Sequence, residues 1–430
     1  MNIAVVGGGI IGITAAHALL DEGHAVTIVD PADQPGRACD GNAGWIAHMD
    51  IMPLASSKAW RHVPRWLADP LGPLAIRPAY AHRAAPWILR LLLAARPATV
   101  EQSIAAIRAL NAGALAAWRA RLDALSLSAH LKDSGCLTVW GSAAHAAAAE
   151  PLLARQRAFG IAVERLDRAA LHALEPALGE VAVAGALYPA GAHVSDPQVL
   201  TAALADAARA RGAVIRSGRV RALETDDAGV KLRLDDGATL SAERAVVAAG
   251  AWSRALAASL GEAVPLDTER GYNITAPRGT LGLTRPVAFE GEGFVTTPLD
   301  TGDRLGGAVE FAGLDAAPNH ARSDAMTARL RRYLPHLPER LEGRRWMGFR
   351  PSIPDSLPVI GPSAASERVL YAFGHGHYGL TQATVTAQAV ADLVAGRTPA
   401  LDLAPFSVRR FGRVRAASPA EPARPAASAA

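Results

Sequence analysis

An α/β fold in two interleaved domains is the architecture this sequence predicts, and three observations predict it. The first thirty residues read strand, glycine turn, helix, strand. Strand-and-helix patterns of the same kind return at residues 194–255 and 346–411. The chain between them differs in character: helical and punctuated by Trp and Pro from Trp60 to Glu175, then strand-rich and irregular from Leu256 to Arg345. At 430 residues the chain is too long for one compact core. We therefore expect a discontinuous nucleotide-type domain (1–59, 194–255 and 346–411) and a discontinuous cap or substrate domain (60–193 and 256–345). An Ala/Pro/Ser-rich tail over 412–430 is expected to be disordered.

The opening unit is "NIAVVGGG", then "IIGITAAHALLDEG", then "HAVTIVD", with β-branched runs for the strands and Gly23 where a helix C-cap belongs. Gly7, Gly9 and Gly12 form G-x-G-x-x-G in the strand-to-helix context that gives the pattern meaning. The first glycine makes the turn, the second admits a pyrophosphate to the backbone, and the third lets helix pack on strand. The helix N-terminus then offers free N–H groups to phosphates. Asp30 closes the second strand, where a carboxylate holds ribose hydroxyls and disfavours a 2′-phosphate. The run could pass for a secretory core on hydrophobicity, but it lacks a basic leader. The motif predicts a dinucleotide and leaves NAD and FAD both open.

Further along, "QVLTAALADAARARGA" and "VIR" make an αβ unit, followed by hairpin strands turning at Asp227–Gly229 and Asp236–Gly237. "AVVAAGAWS", Ala245 to Ser253, is a buried strand ending in a glycine turn. "FGHGHYGLT", Phe373 to Thr381, is a third, feeding a helix from Gly379 or Leu380 to Val394 that Gly396 ends. Three glycine turns converging on one elongated ligand suit FAD, whose ends lie far apart, whereas an NAD domain continues with further βα repeats. A metal reading of His375 and His377 lacks a third ligand at useful spacing, so no metal is expected.

Composition excludes other classes. Half the residues are apolar and a fifth charged, ordinary for a globular protein, and the net charge of +4 does not point to nucleic acid. The chain has only three lysines, Lys58, Lys132 and Lys231, so its basic charge is mostly arginine, which we read as coding bias. Two cysteines, Cys39 and Cys136, are too few for a disulfide framework and fit a reducing compartment. No apolar run reaches the ~18 residues of a transmembrane helix.

The N-terminal βαβ unit, the "GNAGW" turn, "AVVAAGAWS" and "WMGFRPSIPDSLPVIGP…GHGHYGLT" together resemble the D-amino-acid oxidase and dehydrogenase superfamily. "GNAGW" and the Arg350 segment lean towards the bacterial D-amino acid dehydrogenase branch. The resemblance covers the cofactor domain and is weak through Trp60–Glu175. It implies a Rossmann-like FAD domain of the glutathione-reductase type, interleaved with a second α+β domain on a mostly antiparallel sheet. It implies FAD bound without a covalent link, consistent with no cysteine following Cys136.

Site roles follow from the same resemblance. Asn42, Ala43 and Gly44 would line the flavin near N5. Ile10, Ile11, Val220, Ala249, Gly250, Trp252, Gly374, Gly376, His377, Tyr378, Gly379, Leu380 and Thr381 would complete the cofactor contacts. The last helix would aim its N-terminus at the pyrimidine edge, favouring the anionic reduced ring. Arg350 would take the substrate carboxylate, as a planar fork does through two charge-assisted bonds. The His377 carbonyl would hold the substrate amine. Tyr272 either faces the flavin and supports the carboxylate or is a core tyrosine, and His48 is a further candidate.

The implied activity is FAD-dependent oxidative deamination of D-amino acids, with hydride passing from the α-carbon to flavin N5 and electrons going on to a quinone or other carrier. The alternative is a D-hydroxyproline-, D-proline- or sarcosine-type secondary-amine dehydrogenase or oxidase, as one subunit of a larger complex. The absence of lysine after Lys231 favours a dehydrogenase, since some oxidases of the superfamily use a lysine above the flavin. Residues 60–96 carry Trp60, Trp66, Tyr80, Trp87 and six arginines against the single acid Asp69. That composition fits either a peripheral membrane contact or an ordinary cap helix with solvated arginines. The expected location is the cytoplasm, with the membrane contact placing it on the inner face.

Overall fold

The computed structural model describes residues 1–31, 33–55, 69 and 71–412. Trp60, Arg61, Arg65, Trp66 and the tail beyond Gly412 lie outside the described residues. The elements that build the site are, in chain order, β1 (Asn2–Val6), α1 (Ile10–Asp21), β2 (Ala25–Asp30), β3 (Val214–Ser217), β4 (Arg244–Val247), β5 (Asp267–Ala276), β6 (Gly302–Phe311), β7 (Arg344–Ser352), β8 (Val359–Pro362), β9 (Val369–Phe373) and α2 (Gly379–Val394).

One six-stranded sheet runs β3-β2-β1-β4-β9-β8, parallel except for the edge strand β8. Its strands come from the start, middle and end of the chain, as the interleaved patterns predicted. β1 is buried on both faces, which explains its unbroken apolar run. Ile3 and Val5 pack with Ile13 and Leu19 of α1, while Ala4 and Val6 pack with Val230 and Leu232 of the hairpin strands behind. α1 and α2 lie together through Ala15, Ala18, Ala387 and Ala391, small residues that let the backbones approach. Thr14 Oγ1 accordingly reaches the Ala383 carbonyl at 3.2 Å. Gly23, at φ +74°, closes α1 by donating to Leu20, as its C-cap position predicted.

A nine-stranded, mostly antiparallel sheet forms the second layer, with β7-β5-β6 at one end. Cys136–Trp140 and Ala184–Tyr188 extend it, so the stretch read as helical, Trp60–Glu175, supplies the first of these two strands. β7 is hydrogen-bonded to β5 along its length, which puts the start of the 346–411 segment in this sheet as far as Ser352. All ten residues of β5 are buried, because helix Ala321–Leu330 covers one face and the cofactor-side loops cover the other. Helix Ala81–Ala94 turns Ala84 and Trp87 inward and leaves Leu89, Leu92 and Leu93 exposed beside exposed Arg83 and Arg90. Among the described residues no helix is long and apolar enough to cross a membrane.

Candidate active site

A groove of about 1110 Å³ runs along the C-terminal edge of the six-stranded sheet, where β1, β2, β4 and β9 end. Gly7, Gly9, Ile10, Ile11, Asp30, Asn42, Val220, Ala249, Gly250, Trp252, Gly374, Gly376, Gly379 and Leu380 all line it, so the three glycine turns do converge. Both α1 and α2 begin at the groove and present their N-termini to it. Gly12 lies beneath, where an added Cβ would overlap the Gly7 carbonyl oxygen. Gly250 and Gly376 have positive φ and open space where a Cβ would stand. Asp30 accepts from the Gly8 N–H at 2.6 Å and pairs with Arg37. The lining is largely apolar, with two dipole ends and one carboxylate on the turn. That fits an extended dinucleotide carrying a flat ring.

The loop from Gly41 to Met52 meets the groove at Asn42 and is pinned from the nine-stranded sheet on one side and from α2 and the turn before it on the other. Asn273 of β5 donates to the Gly41 carbonyl at 2.8 Å. Arg304 of β6, buried against Asp196 at 2.9 Å, donates to the Asn42 carbonyl at 2.6 Å. Asn42 Oδ1 in turn accepts from the Gly44 N–H at 2.8 Å, folding the turn on itself. Thr381 of α2 accepts from the Ala47 N–H, and Tyr378 donates to the Met52 carbonyl. Of the expected cofactor contacts, Ala43, Gly44, His377, Tyr378 and Thr381 are outside the groove's lining, and Tyr378 and Thr381 hold the loop instead. His48 is tied to the Ile46 carbonyl at 3.2 Å, and burial lowers its pKa. The two histidines of the last turn part company. His375 is buried on Thr386 at 3.0 Å, with its pKa pushed down to about 3 by burial, while His377 reaches Glu269.

Beyond the groove, β5 and β7 place a charged cluster. Cross-strand register sets Glu269 opposite Arg350 and Gly271 opposite Gly348. The Arg350 guanidinium lies over Gly271, where a Cβ would overlap it, and donates to the Ala308 and Gly307 carbonyls at 3.0 and 3.4 Å. Burial lowers its pKa and the Glu269 charge opposes that fall. Glu269 is fully buried and bonded to the Ser352 hydroxyl and to His377 Nε2, the latter at 3.0 Å. Burial works against its charge, yet the His377 ring, the Ser352 hydroxyl and the Arg350 guanidinium hold its carboxyl below the ordinary range. The His377 side chain remains 44% exposed.

Tyr272 is not part of this cluster. The period of two along β5 puts it on the opposite face, in the core under helix Ala321–Leu330. Its hydroxyl donates to Glu310 at 2.5 Å and accepts from the Asn319 N–H, and Glu310 is also paired with Arg77. The core-tyrosine alternative is the one the structure supports. Glu269, Arg37 and Phe349 are the residues sequence reading missed. Arg37 and Phe349 line the groove, and Glu269 was hidden because one acid inside a strand carries no spacing signal.

Comparison with known proteins agrees with this geometry. The family model described as FAD dependent oxidoreductase (DAO) matches residues 2–393. A D-amino-acid oxidase of Bradyrhizobium diazoefficiens is 35% identical over 416 residues, covering 95% of this chain and 99% of its own. A D-amino acid dehydrogenase of the same organism is 29% identical over 421 residues, covering 96% and 99%. The crystal structure of glycine oxidase from Geobacillus kaustophilus shares the fold, with a TM-score of 0.76 at 23% identity over 95% of this chain and 98% of that one. The cofactor is FAD, and this chain belongs to the DAO family of FAD-dependent oxidoreductases.

Proposed function

We propose that this enzyme oxidises the C–N bond of a D-amino acid, with either a primary amine or a cyclic secondary amine, to the corresponding imino acid. The observation that carries the reading is Arg350, a partly buried guanidinium whose hydrogen bonds, among the described residues, go to backbone carbonyls, on the sheet face that bonds to the Gly41–Met52 loop. Such a fork binds a carboxylate through parallel charge-assisted bonds and fixes its orientation. Glu269 offsets the charge of Arg350 when no substrate is present. When bound, FAD supplies the acceptor for a hydride from the substrate's α-carbon. The His377 carbonyl would hold the amine while Arg350 holds the acid, so both ends of the substrate are positioned. The cofactor domain we propose spans 1–59, 194–255 and 346–411, with β7 shared with the cap sheet. Attachment of FAD is proposed to be non-covalent. Cys39 lines the groove, but its thiol pKa is pushed up to about 12 by burial, which disfavours the reactive thiolate.

Anaerobic bleaching of the flavin across D-amino acids, D-hydroxyproline, D-proline and sarcosine tests the reading. Reduction by D-amino acids but not their L-enantiomers is expected, and failure of every amine to bleach it would end the proposal. Preference for N-substituted substrates would identify the secondary-amine variant. We further propose a membrane quinone as acceptor, supported by exposed Leu89, Leu92 and Leu93 flanked by exposed Arg83, Arg90 and Arg96. Co-sedimentation with anionic liposomes should be lost in an Arg83/Arg90/Arg96→Glu variant, and equal behaviour of the two proteins contradicts the contact.

A further inference from the structure

We infer that His377 and Glu269 form a proton-accepting pair that takes a proton from the substrate's ammonium group, with His377 as the catalytic residue and Glu269 as its positioning residue. The inference rests on the amine-oxidation reading above and deepens it. An α-amino acid in neutral water carries an ammonium group, whose nitrogen has no free electron pair. Loss of a hydride from the neighbouring carbon needs that pair to form the C=N bond. The ammonium must therefore shed a proton before or as the hydride leaves, and a positioned side chain can take it.

The geometry supplies such a group. His377 Nε2 lies 3.0 Å from Glu269 Oε2. Glu269 is fully buried, with the Ser352 hydroxyl and the Arg350 guanidinium favouring its charged form and the His377 ring adding to that once it carries a proton. With a carboxylate as partner the shared hydrogen belongs on Nε2, which leaves Nδ1 as an acceptor. The ring is half exposed, so it is open to a ligand and to solvent. Arg350, which would hold the carboxylate, is directly across β5–β7 from Glu269. One buried acid thus links the group that would grip the substrate's carboxylate to a base on the turn that would hold its amine.

In the step, one ammonium N–H bond breaks with its electron pair left on nitrogen, and one N–H bond forms at His377 Nδ1. The positive charge moves from substrate to imidazolium, where Glu269 stabilises it, and the exposed ring then returns the proton to water. No electrons are exchanged. Among the described residues, the charged groups acting on the ring are Glu269 from β5 and, through Glu269, Arg350 from β7, while Tyr378 follows it in the chain. Tyr378 in turn feels Asp50 of the flavin loop. His375 faces away on Thr386.

A merely structural latch between turn and sheet would predict a different outcome from a base, and the pH dependence of anaerobic flavin reduction separates them. The probe is the D-amino acid that reduces wild type fastest, compared in wild type, His377→Gln and Glu269→Gln with FAD content verified. At neutral pH we expect the reduction rate of His377→Gln to fall about 10²-fold. The deficit should close as pH approaches the pKa of the free amino acid's ammonium, where substrate arrives already deprotonated. Glu269→Gln should shift the profile in the same direction by less. Binding of benzoate, a carboxylate with no amine, followed by the flavin spectrum, should stay within about threefold in His377→Gln. A deficit equal at every pH, an unchanged profile, or loss of benzoate binding in His377→Gln would overturn the pair's role and leave the amine reading standing. A wild type that no amino acid bleaches refutes the amine reading itself, and the pair's role with it.

Discussion

The groove along the six-stranded sheet and the charged face of the nine-stranded sheet adjoin at β7 and the last glycine turn, since Phe349, Pro351 and Gly376 line the groove, but they are built by opposite means. The groove is made of backbone: glycine turns with no Cβ in the way, two helix N-termini, and an apolar wall. The sheet face is made of side chains, with buried Glu269 and Ser352, partly buried Arg350 and exposed His377 compensating one another's charge. A backbone site tolerates many side chains so long as its glycines remain. A side-chain site depends on strand register, since a one-residue slip of β5 against β7 would turn Glu269 away from Arg350. Holding a cofactor that stays bound suits the first construction, and sorting substrates by charge suits the second.

The comparison breaks most easily at its backbone side. Gly12→Val places atoms where the Gly7 carbonyl already stands, at the turn that carries the groove. We expect the purified variant to lose essentially all flavin, read as the 450 nm absorbance per protein, with FAD affinity reduced at least about 100-fold if it folds. Circular dichroism checks that folding. Full flavin content would contradict a groove shaped by backbone approach. At the other extreme, Tyr272→Phe removes a hydroxyl that serves Glu310 in the cap core and not the substrate face. Its KM should change by less than about threefold, while stability falls by about 1 kcal/mol for the lost buried hydrogen bond. A tenfold rise in KM would return Tyr272 to the site and sharpen the boundary between the two faces of β5.

The same contrast explains what was legible in the sequence. Gly7, Gly9, Gly12 and Asp30 sit in one continuous segment whose spacing mirrors its geometry, so the turn, both strands and α1 could be read directly. α2 began and ended as expected, from Gly379 to Val394 with Gly396 at φ +73°. The hairpin strands turned where Asp227–Gly229 and Asp236–Gly237 placed them. Tyr272 was ambiguous because β5 is buried on both faces and shows no alternation. A register shift against β6 between Arg270 and Tyr272 adds to the difficulty. Glu269 became meaningful only when folding brought it beside Arg350 and His377, 81 and 108 positions away. Cys136–Trp140 escaped notice because its partners, Val287–Phe289 and Ala184–Tyr188, lie far along the chain.

The central claim is that a guanidinium on the sheet face orients an acid beside a flavin gripped by backbone. Steady-state and anaerobic kinetics of Arg350→Ala with the best D-amino acid test it most directly, with flavin content measured on the same sample. The account predicts full FAD occupancy with KM raised by about 10²-fold or more, the cost of a charge-assisted bidentate contact. Near-normal KM in a variant that keeps its flavin would contradict it.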